Sequence, residues 1–217
     1  MKAKKKQRMP INLPDYHRAF RVMHGILESE NATPQKACLF FANAGAAILR
    51  KHYRLNAVVN AGAAFYKLDD NESSQILSYA DVSTDGFTSH SAAFHAWIEC
   101  DGWIIDFMAP FFPEAMEDAQ INNSFPRKMF QKNMSSMARS INDLEQIGDF
   151  FHEPNLGLTQ ELQSHLSKNR ANADLENIVV KWFARNPKKL PAAIPIRDQN
   201  GKINHVNLSK LSIDGAW

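Results

Sequence analysis

The stretch His95-Ala96-Trp97-Ile98-Glu99-Cys100-Asp101-Gly102-Trp103-Ile104-Ile105-Asp106 decides how this chain is read. Two runs rich in aromatic and branched residues flank Asp101-Gly102. Both turn residues tolerate the positive φ angles of a two-residue turn, so the segment is expected to be a β-hairpin. That turn sets Cys100 opposite Trp103 and makes Trp97 the partner of Asp106. His95 is then the diagonal neighbour of Asp106 on the same face, about 7–8 Å away at the backbone and within reach of an imidazole–carboxylate hydrogen bond. One turn dipeptide thus implies an antiparallel strand pair and allows a His–Asp hydrogen bond.

Upstream of the hairpin, Tyr16, Phe20, Met23 and Leu27 recur at helical spacing and predict a helix over 14–29. Asn31-Ala32-Thr33-Pro34 interrupts it. Thr33 suits an N-cap and Pro34 a first helical position, which predicts a second helix from there to about Tyr53, closed by the cations Arg50-Lys51-His52. Its stripe holds Cys38 in the second turn, then Phe41, Ala42, Gly45, Ile48 and Leu49. The small residues between Ala42 and Ala47 let neighbours approach closely, so this helix is placed at the centre. Ala57–Tyr66 reads as a buried strand, Asp69–Ser74 as a loop and Ile76–Val82 as a second strand.

Downstream, residues 110–157 show no clean period. Leu175, Ile178, Val179, Trp182 and Phe183 mark a helix over 173–185, and a last hairpin is expected at Ile194–Arg197 and Ile203–Leu208 across Asn200-Gly201. The expected fold is α+β: a central helix carrying the cysteine, packed on an antiparallel sheet, with extra C-terminal helices. Residues 1–12 are expected to form a basic flexible tail and 13–217 a single domain. Within it the core spans about 33–110, with helical decoration and a possible final hairpin over 111–217.

Composition narrows the function. The 217 residues are 44% hydrophobic and 22% charged, which excludes a wholly disordered chain. No apolar run approaches the ~18 residues of a membrane span, and no apolar region follows the basic start to make a secretory signal, so no membrane partner is expected. Lys plus Arg number 25 against 23 acids; five of those cations lie in residues 2–8, leaving the body at −3. A near-neutral body is a poor nucleic-acid binder, and none is expected as partner. Two cysteines make no disulfide framework, so a cytoplasmic protein is expected. His90 and His95 lack metal-ligand spacing and the nine glycines are spread singly. Neither a metal nor an organic cofactor is therefore expected. His17, His24, His52, His152, His165 and His205 are scattered and read as surface or locally hydrogen-bonded residues.

Three residues carry a chemical possibility. A thiolate at Cys38 is a nucleophile, an imidazole at His95 can take its proton, and a carboxylate at Asp106 can fix the ring's tautomer. Taken singly, Cys38 reads as a small buried hydrophobe, His95 as a sheet histidine and Asp106 as the cap of the turn before Pro110. Cys100 reads as structural. Trp97 and Trp103 read as core aromatics, either of which could wall a cleft.

The order matters more than the single residues. An Ala-rich helix with Cys38, then His95-Ala96-Trp97-Ile98-Glu99, then Gly102-Trp103-Ile104-Ile105-Asp106, resembles the transglutaminase-like branch of the papain-like thiol enzymes over residues 33–110. The resemblance implies an uncharacterised bacterial family with a thiol acyl-transfer or amide-hydrolysis core. Cys38, His95 and Asp106 would be its triad and a peptide, amide or ester its substrate. Papain relatives also use a glutamine upstream of the cysteine as oxyanion donor, for which Gln35 is the candidate, with Trp97 a candidate cleft residue. The expected function is a cysteine-dependent hydrolase (peptidase or amidase) or acyltransferase. The alternative is a non-catalytic binding module that keeps the fold, since fold does not dictate function.

Overall fold

Helix α1 (Leu13–Ser29) begins where the Asn12 side chain accepts the Asp15 N–H at 2.8 Å, and it buries Tyr16, Phe20, Met23 and Leu27 as their spacing requires. The computed structural model describes residues 8–69, 76–120, 125–197 and 200–217. Pro34–Lys36 form only a single 3-10 turn, and helix α2 (Cys38–Ile48) starts four residues later than Pro34 suggested. The reason is local: Lys36 and Ala37 close short bonds back to Thr33 and Pro34, and Ala37 (φ −106°, ψ 25°) then leaves helical geometry before the chain restarts. Cys38 is therefore the first residue of its helix rather than a second-turn residue. A π-helical turn over Leu49–Tyr53 extends α2, closed by Arg54 at φ 57°.

The close approach expected around Gly45 is present. A Cβ there would stand 2.3 Å from the Phe107 ring, so only glycine lets α2 lie this close to the hairpin strands. Helices α1, α2 and α5 (Arg170–Trp182) share one core with Ala61, Ala96, Ile98, Cys100 and Ile105 on one face of the sheet.

Strand β1 (Ala57–Lys67) organises the sheet. Strand β2 (Ile76–Tyr79) pairs with its second half, Ala64 facing Tyr79; β3 (Asp81–Ser83) and β4 (Gly86–Thr88) form a separate small hairpin. The strand expected over Ile76–Val82 is thus broken at Ala80. Strand β5 (His95–Cys100) pairs with the first half of β1, Gly62 facing His95, and β6 (Trp103–Asp106) pairs with β5 in the register expected from the turn. After helix α3 (Phe112–Asp118), β7 (Phe130–Asn133) adds to β6, and β8 (Phe150–Pro154) pairs with β1 over Gly62–Tyr66. At Gly62 both β5 and β8 are partners, and at Ala64–Tyr66 both β2 and β8. So β8 holds one edge of β1, while β2 and β5 share the other end to end. Helix α4 (Leu156–Lys168) and the hairpin of β9 (Ala193–Arg197) with β10 (Ile203–Asn207) complete the fold.

The sheet is strongly curled. β7 and β8 stand at opposite ends of the row β8-β1-β5-β6-β7, yet the Phe130 and Phe150 rings lie 5.2 Å apart. A twisted sheet can bring its ends together only by coiling on itself. The inside of the curl is a second core of Tyr66, Trp97, Ile104, Phe130 and Phe150, closed by Phe112 and Met116 of α3.

The fold is α+β, with the cysteine helix central to an antiparallel sheet. Two expectations are corrected. Residues 111–217 are not helical decoration alone, because β7 and β8 complete the sheet that the first half begins. The tail cannot reach residue 12: Ile11 is buried, and Gln131 both accepts its N–H at 3.1 Å and donates to its carbonyl at 2.9 Å. Residues 1–7, and the loop residues 70–74, lie outside the described residues. Among the described residues no helix is long and apolar enough to cross a membrane.

Candidate active site

Asp106 ends β6, and the chain turns sharply after it, so its carboxylate sits where β6, β5 and the neck of the curl meet. Its Oδ1 accepts the Met108 N–H at 2.8 Å, which is the turn cap the sequence allowed. Its Oδ2 meets His95 Nε2 at 2.7 Å and the Tyr66 hydroxyl at 3.0 Å. Tyr16 of α1 donates its hydroxyl to the Asp106 carbonyl, tying the strand end to the helix layer. The residues at 95 and 106 are therefore brought together, and the carboxylate serves as cap and as partner at once. Burying a carboxylate is tolerable only when donors replace its hydration, and three do so here.

Proton positions follow from the donor inventory. A carboxylate only accepts, so His95 Nε2 and Tyr66 both donate to it. Tyr66, having given its own proton, accepts from His152 Nε2 at 2.9 Å. The chain of donors runs one way: His152 to Tyr66 to Asp106, with His95 donating from the other side. Burial, together with the charge on His95, holds the His152 pKa well below the usual value, so that ring stays neutral. Burial and the Asp106 charge keep Tyr66 well above the ordinary phenol range, so it remains a donor.

His95 is fully buried. Burial disfavours its charged form, but the charge and hydrogen bond of Asp106, followed by those of Cys38, outweigh it and raise the pKa to about 10. With Nε2 committed to Asp106, Nδ1 is the nitrogen left for chemistry, and it is buried without a closed hydrogen bond. Cys38 is the neighbour whose hydrogen bonding and charge act on this ring. Cys38 is 7% exposed at the first position of α2, where the opening N–H groups have no intrahelical acceptor and the helix dipole favours negative charge. Cys100, at the other end of β5 and 1% exposed, is a different case: burial and the Asp101 charge push its thiol up to about 11.

Gln35 lies in the 3-10 turn before α2, its Oε1 buried and without a partner among the described residues. Trp97 is not a cleft wall: it is fully buried inside the curl, its ring 4.4 Å from that of His152 and its Nε1 donating to Glu99 at 3.3 Å. Five of the surface cavities formed by the described residues measure about 400 to 620 Å3, and none of these five is lined by Cys38, His95 or Asp106. Sequence reasoning missed Tyr66 and Tyr79, and it assigned His152 to the surface or to local bonding. His152 is in fact buried, facing inward with Phe150 while Glu153 is exposed. That alternation was the available signal.

Fold and site together define an α+β protein with a buried Cys–His–Asp arrangement between a helix N-terminus and a curled antiparallel sheet. The chain belongs to the family described as "Protein of unknown function (DUF2026)", whose sequence profile matches residues 12–217. It is also similar to a solved structure described as "The crystal structure of genomics APC5867". The two share 38% sequence identity with a TM-score of 0.87, over 99% of this chain and 100% of that one. No match is found among curated proteins.

Proposed function

We propose that the protein is a cysteine-dependent hydrolase or acyltransferase on a papain-like, transglutaminase-like core, acting on a peptide, amide or ester. One observation carries the reading: His95 is held through Nε2 by an acceptor-only carboxylate, which leaves its buried Nδ1 bare beside the Cys38 side chain. The order of elements supports the core assignment, with the cysteine opening a central helix, the histidine opening β5 and the aspartate ending β6. Both cysteines are free thiols, which supports residence in the reducing cytoplasm.

In this mechanism Cys38 adds to the substrate carbonyl carbon as a thiolate paired with the His95 imidazolium, whose pKa of about 10 keeps the proton on Nδ1 at neutral pH, while the π pair moves to oxygen. When the carbonyl re-forms, the C–N or C–O bond breaks and the leaving group departs with the proton from Nδ1. Water, or an acceptor amine or alcohol, then attacks the thioester, gives its proton back to Nδ1 and releases Cys38. Asp106 holds the ring and stabilises the imidazolium throughout. The first-turn N–H groups of α2 and the side chain of Gln35 are the groups available to the oxyanion.

Alkylation with iodoacetamide, followed residue by residue by mass spectrometry at pH 7, tests this. Cys38 is expected to react at least ~10-fold faster than Cys100, and His95→Gln to remove most of that advantage. A Cys38 rate indifferent to the histidine would sink the proposal. It would favour the second reading, a non-catalytic binding module, which the near-complete burial of all three residues supports.

A further inference from the structure

Buried polar atoms without partners are rare, because each forfeits its hydration for nothing. Three such atoms among the described residues belong to the candidate site or its immediate neighbours: Gln35 Oε1 three residues before Cys38, His95 Nδ1, and the hydroxyl of Tyr79, whose ring stacks on His95. His95 Nδ1 already has a part in the proposed chemistry, and Gln35 would enter it through its amide nitrogen, not through this oxygen. The third has no part.

Tyr79 arrives there by strand register. It ends β2 opposite Ala64, and His95 begins β5 opposite Gly62, on the same edge of β1. Cross-strand partners share a face, and positions 62 and 64 of β1 face the same way, so the two side chains stand side by side. Their rings stack at 4.4 Å with 24° between planes. The β3–β4 excursion separates them in sequence but not in space. Burial, then the charges of Asp106, Cys38 and Asp118, raise the Tyr79 pKa well above the ordinary value, so the hydroxyl keeps its proton through the neutral range. A phenylalanine would pack against His95 equally well without the cost of a partnerless hydroxyl.

We propose that the Tyr79 hydroxyl is an oxyanion donor. It would hydrogen-bond the oxygen that becomes negative when the Cys38 sulfur adds to a substrate carbonyl, alongside the N–H groups that open α2. This rests on the thiol-enzyme reading above. Tyr79 gives up no proton: it donates a hydrogen bond while the sulfur–carbon bond forms and the π pair rests on oxygen, and it loosens when the carbonyl returns. The same geometry explains why the resting hydroxyl has no partner, since its acceptor exists only during the reaction.

Two reagents separate this role from the others. Iodoacetamide transfers its methylene carbon to sulfur with loss of iodide and forms no oxyanion; 4-nitrophenyl acetate acylates the thiol through one and releases 4-nitrophenolate. In the full-length protein, Tyr79→Phe is expected to slow acylation by about 10–100-fold. Cys38 alkylation should stay within about twofold of wild type, and the melting temperature should be unchanged or higher. Acylation at the wild-type rate would overturn the assignment. So would a parallel fall in both reactions, which would make Tyr79 a positioning residue for the His95 ring. If the wild-type Cys38 alkylates in a His95-dependent way but takes no acetyl group, the oxyanion role alone fails. If wild-type Cys38 shows no His95-dependent reactivity at all, the thiol-enzyme reading fails and takes this inference with it.

Discussion

Asp106→Asn is expected to slow Cys38 alkylation by about 10- to 10³-fold and to lower the melting temperature in the same variant. Sequence alone left orientation and capping as alternatives, whereas the carboxylate does both, through Oδ2 to His95 and Tyr66 and through Oδ1 to Met108. An asparagine keeps one acceptor. If that oxygen stays with the Met108 N–H, its amide N–H groups confront two donors, His95 Nε2–H and the Tyr66 hydroxyl. Tyr66 can turn its proton towards His152 if that ring moves its own proton to Nδ1, which is bare and unpartnered. His95 has one escape, to give up its Nε2 proton and keep only the one on Nδ1, and the neutral ring no longer stabilises a Cys38 thiolate. Rearranging buried hydrogen bonds to a charged group costs about 1–3 kcal/mol. For a chain of this length that is a fall of ~2–12 °C. The two readouts are alkylation kinetics at pH 7 and calorimetry. Full labelling with a depressed melt would leave Asp106 as a cap and reduce the site to a Cys–His dyad.

Gly62→Ala is expected to cost about 3 kcal/mol or more, a drop of at least ~6 °C. At this residue β1 is flanked by His95 of β5 and Pro154 of β8. A Cβ would stand 2.1 Å from the Glu153 carbonyl oxygen and 2.9 Å from both the Asn155 nitrogen and the Pro154 Cα. All three are backbone atoms, so no rotamer change relieves the clash and β8 itself must move. Because β8 carries His152, the displacement should also loosen the His152–Tyr66 hydrogen bond. Urea denaturation of the variant measures the cost, and a loss under about 1 kcal/mol would contradict the packing of β8 against β1 described above.

The hairpin that carries His95 and Asp106 was legible because everything that sets it is local: a two-residue turn fixes the register, and the register fixes the pair. Helix α1 was legible for the same reason, its stripe being continuous. The start of α2 was not, because Thr33-Pro34 is an equally good opening for a single 3-10 turn, and only the Ala37 backbone angles decide between them. β7 and β8 were invisible as sheet members. They are short, they lie in stretches broken by Pro, Asn and Gly, and their partners β6 and β1 lie far back along the chain. Tyr79 was hidden by the interruption at Ala80, since nothing in the sequence says that β2 and β5 continue one another along a single edge. His152 was within reach, as Phe150-Phe151-His152-Glu153 alternates inward and outward, but a lone histidine among scattered ones reads as surface or locally bonded until the strand is recognised.

The curl has a consequence for the life of the chain before it is folded. Helices α1 and α2 are made of local contacts and can form early. The partners of Cys38 cannot: His95 comes from β5, its carboxylate from β6, and the far end of the hydrogen-bonded row from β8, whose pairing with β1 closes a long loop. Non-local pairings of that kind form late, because the loop entropy must be met before any contact rewards it. During synthesis and early collapse the thiol therefore has no base beside it. On the proposed reading, a nucleophile activated only once β1 has met β5 is withheld from neighbouring polypeptides while the chain is most exposed to them.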